Sequence, residues 1–131
     1  MKIYVAGSSR ELQRAQHAMT LVRNFGHVLA HDWVAEIQEA GEPNPVAADL
    51  EQRKAWARMD LERVAASDWL WFLVPQTPST GAWVELGCAL GWPATRIVSS
   101  GANPEQSIFT ALVDRHFETD TGAAAWLLPQ H

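Results

Sequence analysis

Two acidic residues have surroundings that suit chemistry, and the first is Glu85. It closes the segment STGAWVE, residues 79–85, which follows the most apolar run of the chain. Ala82 and Ala89 place Glu85 on a small, largely apolar helix surface, where few charges neutralise it. Burial there raises the pKa of a carboxylate, but the helix N-terminus favours the ionised form that a nucleophile needs. The sequence predicts a carboxylate nucleophile, and an exposed glutamate on an ordinary amphipathic helix is the alternative.

The second acidic residue is Asp60, which interrupts an apolar helix face. Trp56, Asp60 and Val64 form one row at a spacing of four residues. A carboxylate on such a face needs a partner, because burying it unpaired costs several kcal/mol. A ligand hydroxyl, a backbone donor or Arg58 would serve. Asp60 is therefore a candidate ligand-binding residue, or else a structural aspartate that the protein itself satisfies.

Two loops carry donors suited to a phosphate or another small anion. In each, hydroxyl groups and backbone amides stand at the start of a helix, where anions bind well. In the first loop, a simple N-cap at Ser8 or Ser9 is an equal alternative, and in the second loop Ser79 or Thr80 can cap the helix. The candidates are Gly7, Ser8, Ser9 and Arg10 in the first loop, and Ser79, Thr80 and Gly81 in the second.

A nucleobase could stack on Trp33, which follows Asp32 at the end of a predicted strand, although core filling explains this tryptophan as well. His27 and His31 share a face of that strand, but two histidines without a third ligand are more often structural. The chain has no CxxC, HExxH or GxGxxG motif. We therefore expect neither a metal nor an organic cofactor.

The elements that must position these residues alternate between strand and helix. Such alternation predicts an open parallel sheet of about five strands with helices on both faces, and a ligand site at the carboxyl ends of the strands. The last strand is the least defined. We predict strands at residues 2–6, 27–33, 69–74 and 96–99, a loop at 41–45, and helices at 12–25, 47–66, 82–90, 106–113 and 123–128.

Length and composition fit one α/β domain spanning residues 1–131, with 47% hydrophobic and 19% charged residues. The net charge of −5 argues against a nucleic-acid polymer as partner. The N-terminus lacks the apolar stretch of a signal peptide, and no run is long enough to span a bilayer. A single cysteine, Cys88, fits a reducing compartment. We expect a cytoplasmic protein without membrane contact.

Three segments in order resemble the nucleoside 2-deoxyribosyltransferase superfamily. They are KIYVAGS (2–8), Asp60 with Ser67-Asp68 eight residues on, and PSTGAWVELG (78–87). The resemblance covers roughly residues 1–115. It implies a flavodoxin-like fold, usually dimeric, in which Glu85 attacks the anomeric carbon and forms a glycosyl-enzyme intermediate. It also implies that Asp60 engages the sugar and that Tyr4 orients Glu85.

The position six residues before the nucleophile divides this superfamily. The transferases tend to carry a carboxylate there, whereas the related 2'-deoxynucleoside 5'-monophosphate N-hydrolases carry a serine that binds phosphate. Here the residue is Ser79. In the hydrolases a hydroxyl residue of the neighbouring subunit completes the phosphate site. Thr110 falls at the matching position, with Ser107 as a weaker substitute.

These features favour a hydrolase that cleaves the N-glycosidic bond of a nucleoside 5'-monophosphate, as a homodimer with a shared active site. A transferase that exchanges bases is the nearest alternative. A phosphoribohydrolase similar to the cytokinin-activating family also places a glutamate four residues after a glycine, but its Pro-Gly-Gly start is missing here. A non-catalytic module that binds or sequesters nucleotides is the alternative from another class.

Overall fold

The computed structural model of the protein describes residues 1–40 and 49–129. Runs of β-branched and aromatic residues form its strands, because such side chains pack well on a pleated surface. The strands are β1 (Lys2–Ala6), β2 (Val28–Leu29), β3 (Trp69–Leu73), β4 (Arg96–Ser100) and β5 (Arg115–Phe117). The helices are α1 (Leu12–Asn24), α2 (Trp33–Ala40), α3 (Leu50–Ala65), α4 (Gly81–Leu90) and α5 (Asp120–Leu127), with 3₁₀ helices at Pro104–Gln106 and Ile108–Leu112.

All five strands are parallel and lie in the order β2-β1-β3-β4-β5. This order is that of a flavodoxin-like α/β fold. The chain direction across the sheet reverses between β1 and β3, so a crevice opens beyond the carboxyl ends of these two strands. The predicted parallel sheet of five strands is confirmed, and the loops after β1 and β3 meet at this crevice.

The central strand β3 is buried along its whole length, as its continuous apolar sequence predicts. Its side chains alternate between the two faces of the sheet. Trp69 makes an edge-to-face contact with Trp126 of α5, with ring centres 5.5 Å apart. Phe72 contacts Trp83 of α4 on the other face, at 4.9 Å. The strand therefore anchors α4, which carries Glu85, to the middle of the sheet.

Arg14 of α1 braces the edge of the sheet where the crevice opens. Its Nη1 donates to the carbonyl oxygen of Val74 at 2.7 Å, and its Nη2 donates to that of Ser100 at 3.2 Å. Its Nε donates to Oδ2 of Asp120 in α5 at 2.7 Å. These bonds join the ends of β3 and β4 to both helices of one face and fix the framework behind the candidate site.

The second strand is shorter than predicted. Its register with β1 covers only Lys2 and Ile3, so pairing ends at Leu29. Oδ1 of Asp32 then accepts a hydrogen bond from the amide of Ala35 at 2.9 Å, at the start of α2. Trp33 consequently begins a helix instead of ending a strand. The predicted loop at 41–45, and the first residues of the helix predicted from 47, lie outside the described residues.

The segment predicted as a helix at 106–113 forms two short 3₁₀ helices instead. Asn103 adopts a left-handed conformation with φ of 58°, and Ser107 is extended between the two helices. Beyond them, β5 supplies the last strand, and α5 begins at Asp120 with a hydrogen bond from the amide of Gly122 to the Thr119 hydroxyl. Across the described ranges, no helix combines the length and apolar character needed to cross a membrane.

Candidate active site

A cavity of about 440 Å³ opens at the carboxyl ends of β1 and β3. Its volume lies in the range of small-molecule sites. Most of the residues singled out from the sequence lie on its wall. The lining residues are Gly7, Ser9, Arg10, Trp33, Glu36, Ile37, Trp56, Asp60, Pro78, Ser79, Thr80, Gly81, Ala82 and Glu85.

Glu85 lies on the cavity wall and is only 7% exposed. The alternative of an exposed glutamate is therefore wrong. Its Oε2 accepts a hydrogen bond from the hydroxyl of Tyr4, which is fully buried in β1. Tyr4, in the sheet, thus orients the carboxylate of Glu85, in the arrangement that the resemblance to the 2-deoxyribosyltransferase superfamily implied.

The pKa of Glu85 is raised from its ordinary 4.5 to about 8. Burial is the main cause, the negative charge of Asp60 adds to it, and the hydrogen bond from Tyr4 opposes both. We expected the helix N-terminus to keep this carboxylate ionised. That expectation fails because Glu85 lies more than a full turn into α4, where burial outweighs the weak field of the helix end.

Tyr4 remains a hydrogen-bond donor over the whole physiological pH range. Burial, and then the charge of Glu85, raise the pKa of its phenol well above the usual value of 10. A protonated phenol has one hydrogen to donate, and here it goes to Glu85. This bond stabilises the ionised carboxylate more than the neutral acid.

Asp60 lies on the cavity wall with its side chain partly exposed, and its partner is His31 instead of Arg58. Nδ1 of His31 lies 3.1 Å from Oδ1 of Asp60, an ion-pair distance, although the two atoms are not aligned for a hydrogen bond. Nε2 of the same ring contacts Oε2 of Glu36, which also lines the cavity. Asp60 is therefore satisfied in part by the protein while it faces the cavity.

The loop after β1 brings three of its four candidate residues to the cavity. Gly7, Ser9 and Arg10 line the wall, but Ser8 does not. The Ser8 hydroxyl is 2.9 Å from that of Thr77 and accepts a hydrogen bond from the amide of Arg10 at 3.2 Å. Ser8 is thus a loop-forming residue and does not cap α1, whose N-cap position is Glu11.

Glu11 ties the loops after β1 and β3 together and was missed in the sequence. Its Oε2 accepts hydrogen bonds from the Thr77 hydroxyl at 2.7 Å and from the amide of Gln76 at 3.1 Å. Burial tends to raise the pKa of Glu11, but the bonds from Thr77, Arg14 and Gln76 outweigh it and lower the pKa. No periodic pattern marks this contact, because it joins two irregular loops.

The start of α4 faces the cavity with uncapped amides. Thr80 occupies the N-cap position, but its side chain accepts no hydrogen bond from the first turn. A Cβ at Gly81 would meet no atom within 4 Å. The expected capping by Thr80 is therefore absent, and Ser79, Thr80 and Gly81 together present hydroxyls and open backbone to a ligand.

Trp33 both fills the core and lines the cavity. It is 8% exposed, and its Nε1 donates to the carbonyl oxygen of Val5 at 2.7 Å. That bond locks the indole ring, so any ligand stacking would use a fixed surface. Trp56 of α3 lies on the same wall.

Thr110 lies away from the cavity of its own chain. It is 8% exposed, and its Oγ1 donates to the carbonyl oxygens of Pro104 and Ser107, the latter at 2.8 Å. These bonds shape the 3₁₀ helix that contains it.

The sequence patterns also did not reveal the role of His31 and Glu36. His27 and His31 were assigned to one strand face, but both lie outside the two-residue β2. His31 contacts Glu36 across a strand-to-helix junction and Asp60 from 29 positions away, so no local spacing signals the cluster. Within residues 1–40 and 49–129, no group of three or more His, Cys, Asp or Glu side chains could hold a metal ion.

No family model matches the sequence, and no curated protein matches it. The structure is similar to that of a 2-deoxyribosyltransferase from the psychrotolerant bacterium Bacillus psychrosaccharolyticus, with a TM-score of 0.71. The two chains are 19% identical, and the match covers 96% of this chain and 92% of the other. The likeness therefore extends over nearly the whole of both chains and shows a shared fold.

Proposed function

We propose that this chain is a single-domain N-glycoside hydrolase of the nucleoside 2-deoxyribosyltransferase superfamily, acting on nucleoside 5'-monophosphates and in particular deoxyribonucleotides. The observation that carries the proposal is the buried Glu85, held by Tyr4 at a cavity that also presents Asp60. A cavity carboxylate with a strongly shifted pKa is typical of a functional site. The fold shared with a 2-deoxyribosyltransferase supports the same class of chemistry.

In the first step, the ionised carboxylate of Glu85 attacks C1' of the sugar. The C1'–N bond breaks, its electron pair leaves with the base, and the base takes up a proton. Water then attacks C1', the bond from C1' to Glu85 breaks, and the water releases one proton, which balances the proton taken up by the base. Sugar phosphate and the free carboxylate result. The negative charge of Asp60 favours the oxocarbenium-like transition states of both steps.

Only the ionised form of Glu85 can attack. With a pKa of about 8, Glu85 is ionised in roughly a tenth of the ligand-free molecules at pH 7. Positive charge that develops on the sugar lowers this pKa, because an opposite charge favours the ionised carboxylate. In the ligand-free protein at pH 7 Glu85 is therefore mostly neutral, and its ionised fraction carries out the attack.

Phosphate recognition is assigned to the two loops at the crevice. Ser9 and Arg10 follow β1, whereas Ser79 and Gly81 begin α4, and all four line the cavity. Among the lining residues that the structure describes, Arg10 has the only cationic side chain. Its guanidinium and the open amides of α4 offer charge-assisted bonds to a phosphate, and Trp33 offers a fixed aromatic surface to the base.

A base-exchanging transferase is the second candidate, and the similarity to a 2-deoxyribosyltransferase favours it. It differs from the hydrolase only in the acceptor, since a second base would replace water at C1'. The serine at position 79 and the single cavity arginine favour a phosphorylated substrate and thus the hydrolase.

We extend the proposal to a homodimer in which Thr110 of one subunit contributes to the phosphate site of the other. Support comes from the apolar side chains beside Thr110: Ile108 is 81% exposed, Phe109 55% and Leu112 66%. Exposed apolar side chains in such a group are typical of protein interfaces. Thr110 must then exchange a bond to its own backbone for one to phosphate.

Incubation with a panel of nucleosides and their 5'-monophosphates tests this function, with free base and sugar phosphate separated by chromatography. A second, different base is added in a parallel series. We expect free base from monophosphates and no exchanged nucleotide. Exchange of the added base would establish the transferase instead, and tight binding without any turnover would contradict both.

A further inference from the structure

His31 lies behind the cavity wall and joins two of its carboxylates. It is 5% exposed and does not itself line the cavity. One ring nitrogen lies 3.1 Å from Asp60 of α3, and the other contacts Glu36 of α2. The ring also meets Tyr4 edge-on, with ring centres 6.4 Å apart. A single buried imidazole thus contacts both acids and the tyrosine that holds Glu85.

The contact of His31 with Asp60 and Glu36 affects the charge balance of the cavity. Within residues 1–40 and 49–129, the cavity lining has three carboxylates, those of Glu36, Asp60 and Glu85, and one guanidinium, that of Arg10. Arg10 is exposed, whereas Glu85 is buried beside Asp60. Like charges at this separation oppose ionisation of the buried carboxylate. A cation placed between Asp60 and Glu36 offsets that opposition.

We propose that His31 is a positioning residue for Glu85. The imidazolium of His31 holds Asp60 and Glu36 in place and offsets their charge, so that Glu85 ionises. Its effect on catalysis rests on the proposed function, but its effect on the ionisation of Glu85 does not. His31 acts through Asp60 and Tyr4, without contact to the substrate.

The surroundings of His31 favour its protonated form. Burial tends to lower its pKa, but Asp60 and Glu36 outweigh burial and raise the pKa above the ordinary 6.5. The neighbouring Asp32 is already paired with Arg23 at 2.8 Å. Among the described residues, the titratable groups near the ring are Tyr4 from β1, Asp32 before α2, Glu36 from α2 and Asp60 from α3. Arg63 of α3 donates to the carbonyl oxygen of the adjacent Ala30.

The first test titrates Glu85 directly in the ligand-free protein. Carboxyl carbons of glutamate are followed by NMR from pH 5 to 10, and the Glu85→Gln variant identifies the signal. We expect His31→Gln to move the midpoint of Glu85 upward by about one pH unit, a common effect of losing one nearby charge. His17→Gln, which removes an exposed histidine of α1, should leave the midpoint unchanged. An unmoved midpoint in His31→Gln would overturn the proposal.

The second test needs no variant and stands even if His31→Gln does not fold. Ring-nitrogen shifts of His31 in the parent protein report its protonation. The proposal requires the doubly protonated ring at pH 7, and a neutral ring at that pH would overturn it. A rescue variant belongs to the first test: His31→Lys, which keeps a cation, should bring the Glu85 midpoint back toward the parent value.

The third readout is the rate of base release against pH. In His31→Gln, we expect the rising limb of kcat/KM to move upward with the Glu85 midpoint, so that activity at pH 7 falls about tenfold. A purely structural role would lower activity equally at every pH. If the parent protein releases no base, the proposed function fails while both titrations still decide the role of His31.

Discussion

The hydroxyl of Tyr4 donates a hydrogen bond to Oε2 of Glu85, joining residues 81 positions apart in the chain. One lies in β1 and the other in α4, and the parallel register of β1 and β3 brings them together. Both side chains are buried. Among the described residues, only this bond opposes the rise in the pKa of Glu85 that burial and Asp60 cause. The ionisation of Glu85 therefore depends on a tyrosine that lies outside its own helix.

Replacing Tyr4 with phenylalanine should keep the packing and remove this bond. A hydrogen bond to a charged group contributes about 1.5–3 kcal/mol, so we expect kcat/KM at neutral pH to fall roughly 10- to 100-fold. The pKa of Glu85 should rise further. Steady-state base release measures the effect, with thermal unfolding as a check on the fold. A variant with parental activity would exclude the bond from the mechanism.

The pH dependence follows from the raised pKa of Glu85. The active form is ionised, and its fraction falls tenfold for each pH unit below the pKa. Thus kcat/KM should rise with pH up to about 8 and then level off. Measuring initial rates from pH 5 to 9 at low substrate checks this. A limb centred near the ordinary value of 4.5 would contradict a raised pKa for the group whose ionisation limits the rate.

Arg10 should distinguish phosphorylated from unphosphorylated substrates. Arg10→Ala removes the cationic side chain of the cavity wall, so KM for a 5'-monophosphate should rise roughly 10- to 100-fold. KM for the matching nucleoside should change little. Arg53→Ala, on the exposed side of α3, serves as the control that loses the same charge. Equal losses for both substrates would argue against a phosphate contact.

Two glycines make a matched pair for the stability of the framework. Gly101 has φ of 113°, and a Cβ there would lie 2.5 Å from Nη2 of Arg14, which its own hydrogen bonds hold in place. Gly101→Ala should therefore destabilise the fold by about 1–3 kcal/mol. Gly87 lies in α4 with open space around its Cα, and Gly87→Ala should stabilise by about 0.5–1 kcal/mol. Urea unfolding of both variants measures the difference, and equal effects would contradict this reasoning.

The sequence predicted most of the architecture because buried strands and helix faces have regular patterns of apolar residues. Residues 69–74 are apolar without interruption, as a strand covered on both faces requires, and this strand is the centre of the sheet. The two alanines beside Glu85 likewise indicated its buried face. By contrast, β2 is short because its pairing with β1 stops after two residues. The extent of pairing between two strands cannot be predicted from the sequence of either strand alone.

The candidate site could be predicted only in part, because local sequence patterns do not show tertiary contacts. Glu85, Asp60 and the two loops stand where helices start or where apolar rows are interrupted, so local patterns marked them. His31, Glu36 and Glu11 make their contacts through tertiary structure, without helical or strand spacing. Arg58 was one of three kinds of partner considered for Asp60, and the structure places His31 there instead. Ser8 was wrongly grouped with the cavity residues because its burial could not be read from the loop.

The central claim is that Glu85 is the nucleophile that breaks the N-glycosidic bond, and Glu85→Gln tests it most directly. Glutamine keeps the size of the side chain and accepts a hydrogen bond from Tyr4, but it cannot form the glycosyl ester. Release of free base from 5'-monophosphates by parent and variant is compared at pH 8, where Glu85 is substantially ionised. We predict that the variant binds the nucleotide yet releases base at least about a thousandfold more slowly. Release at the parental rate would contradict the claim.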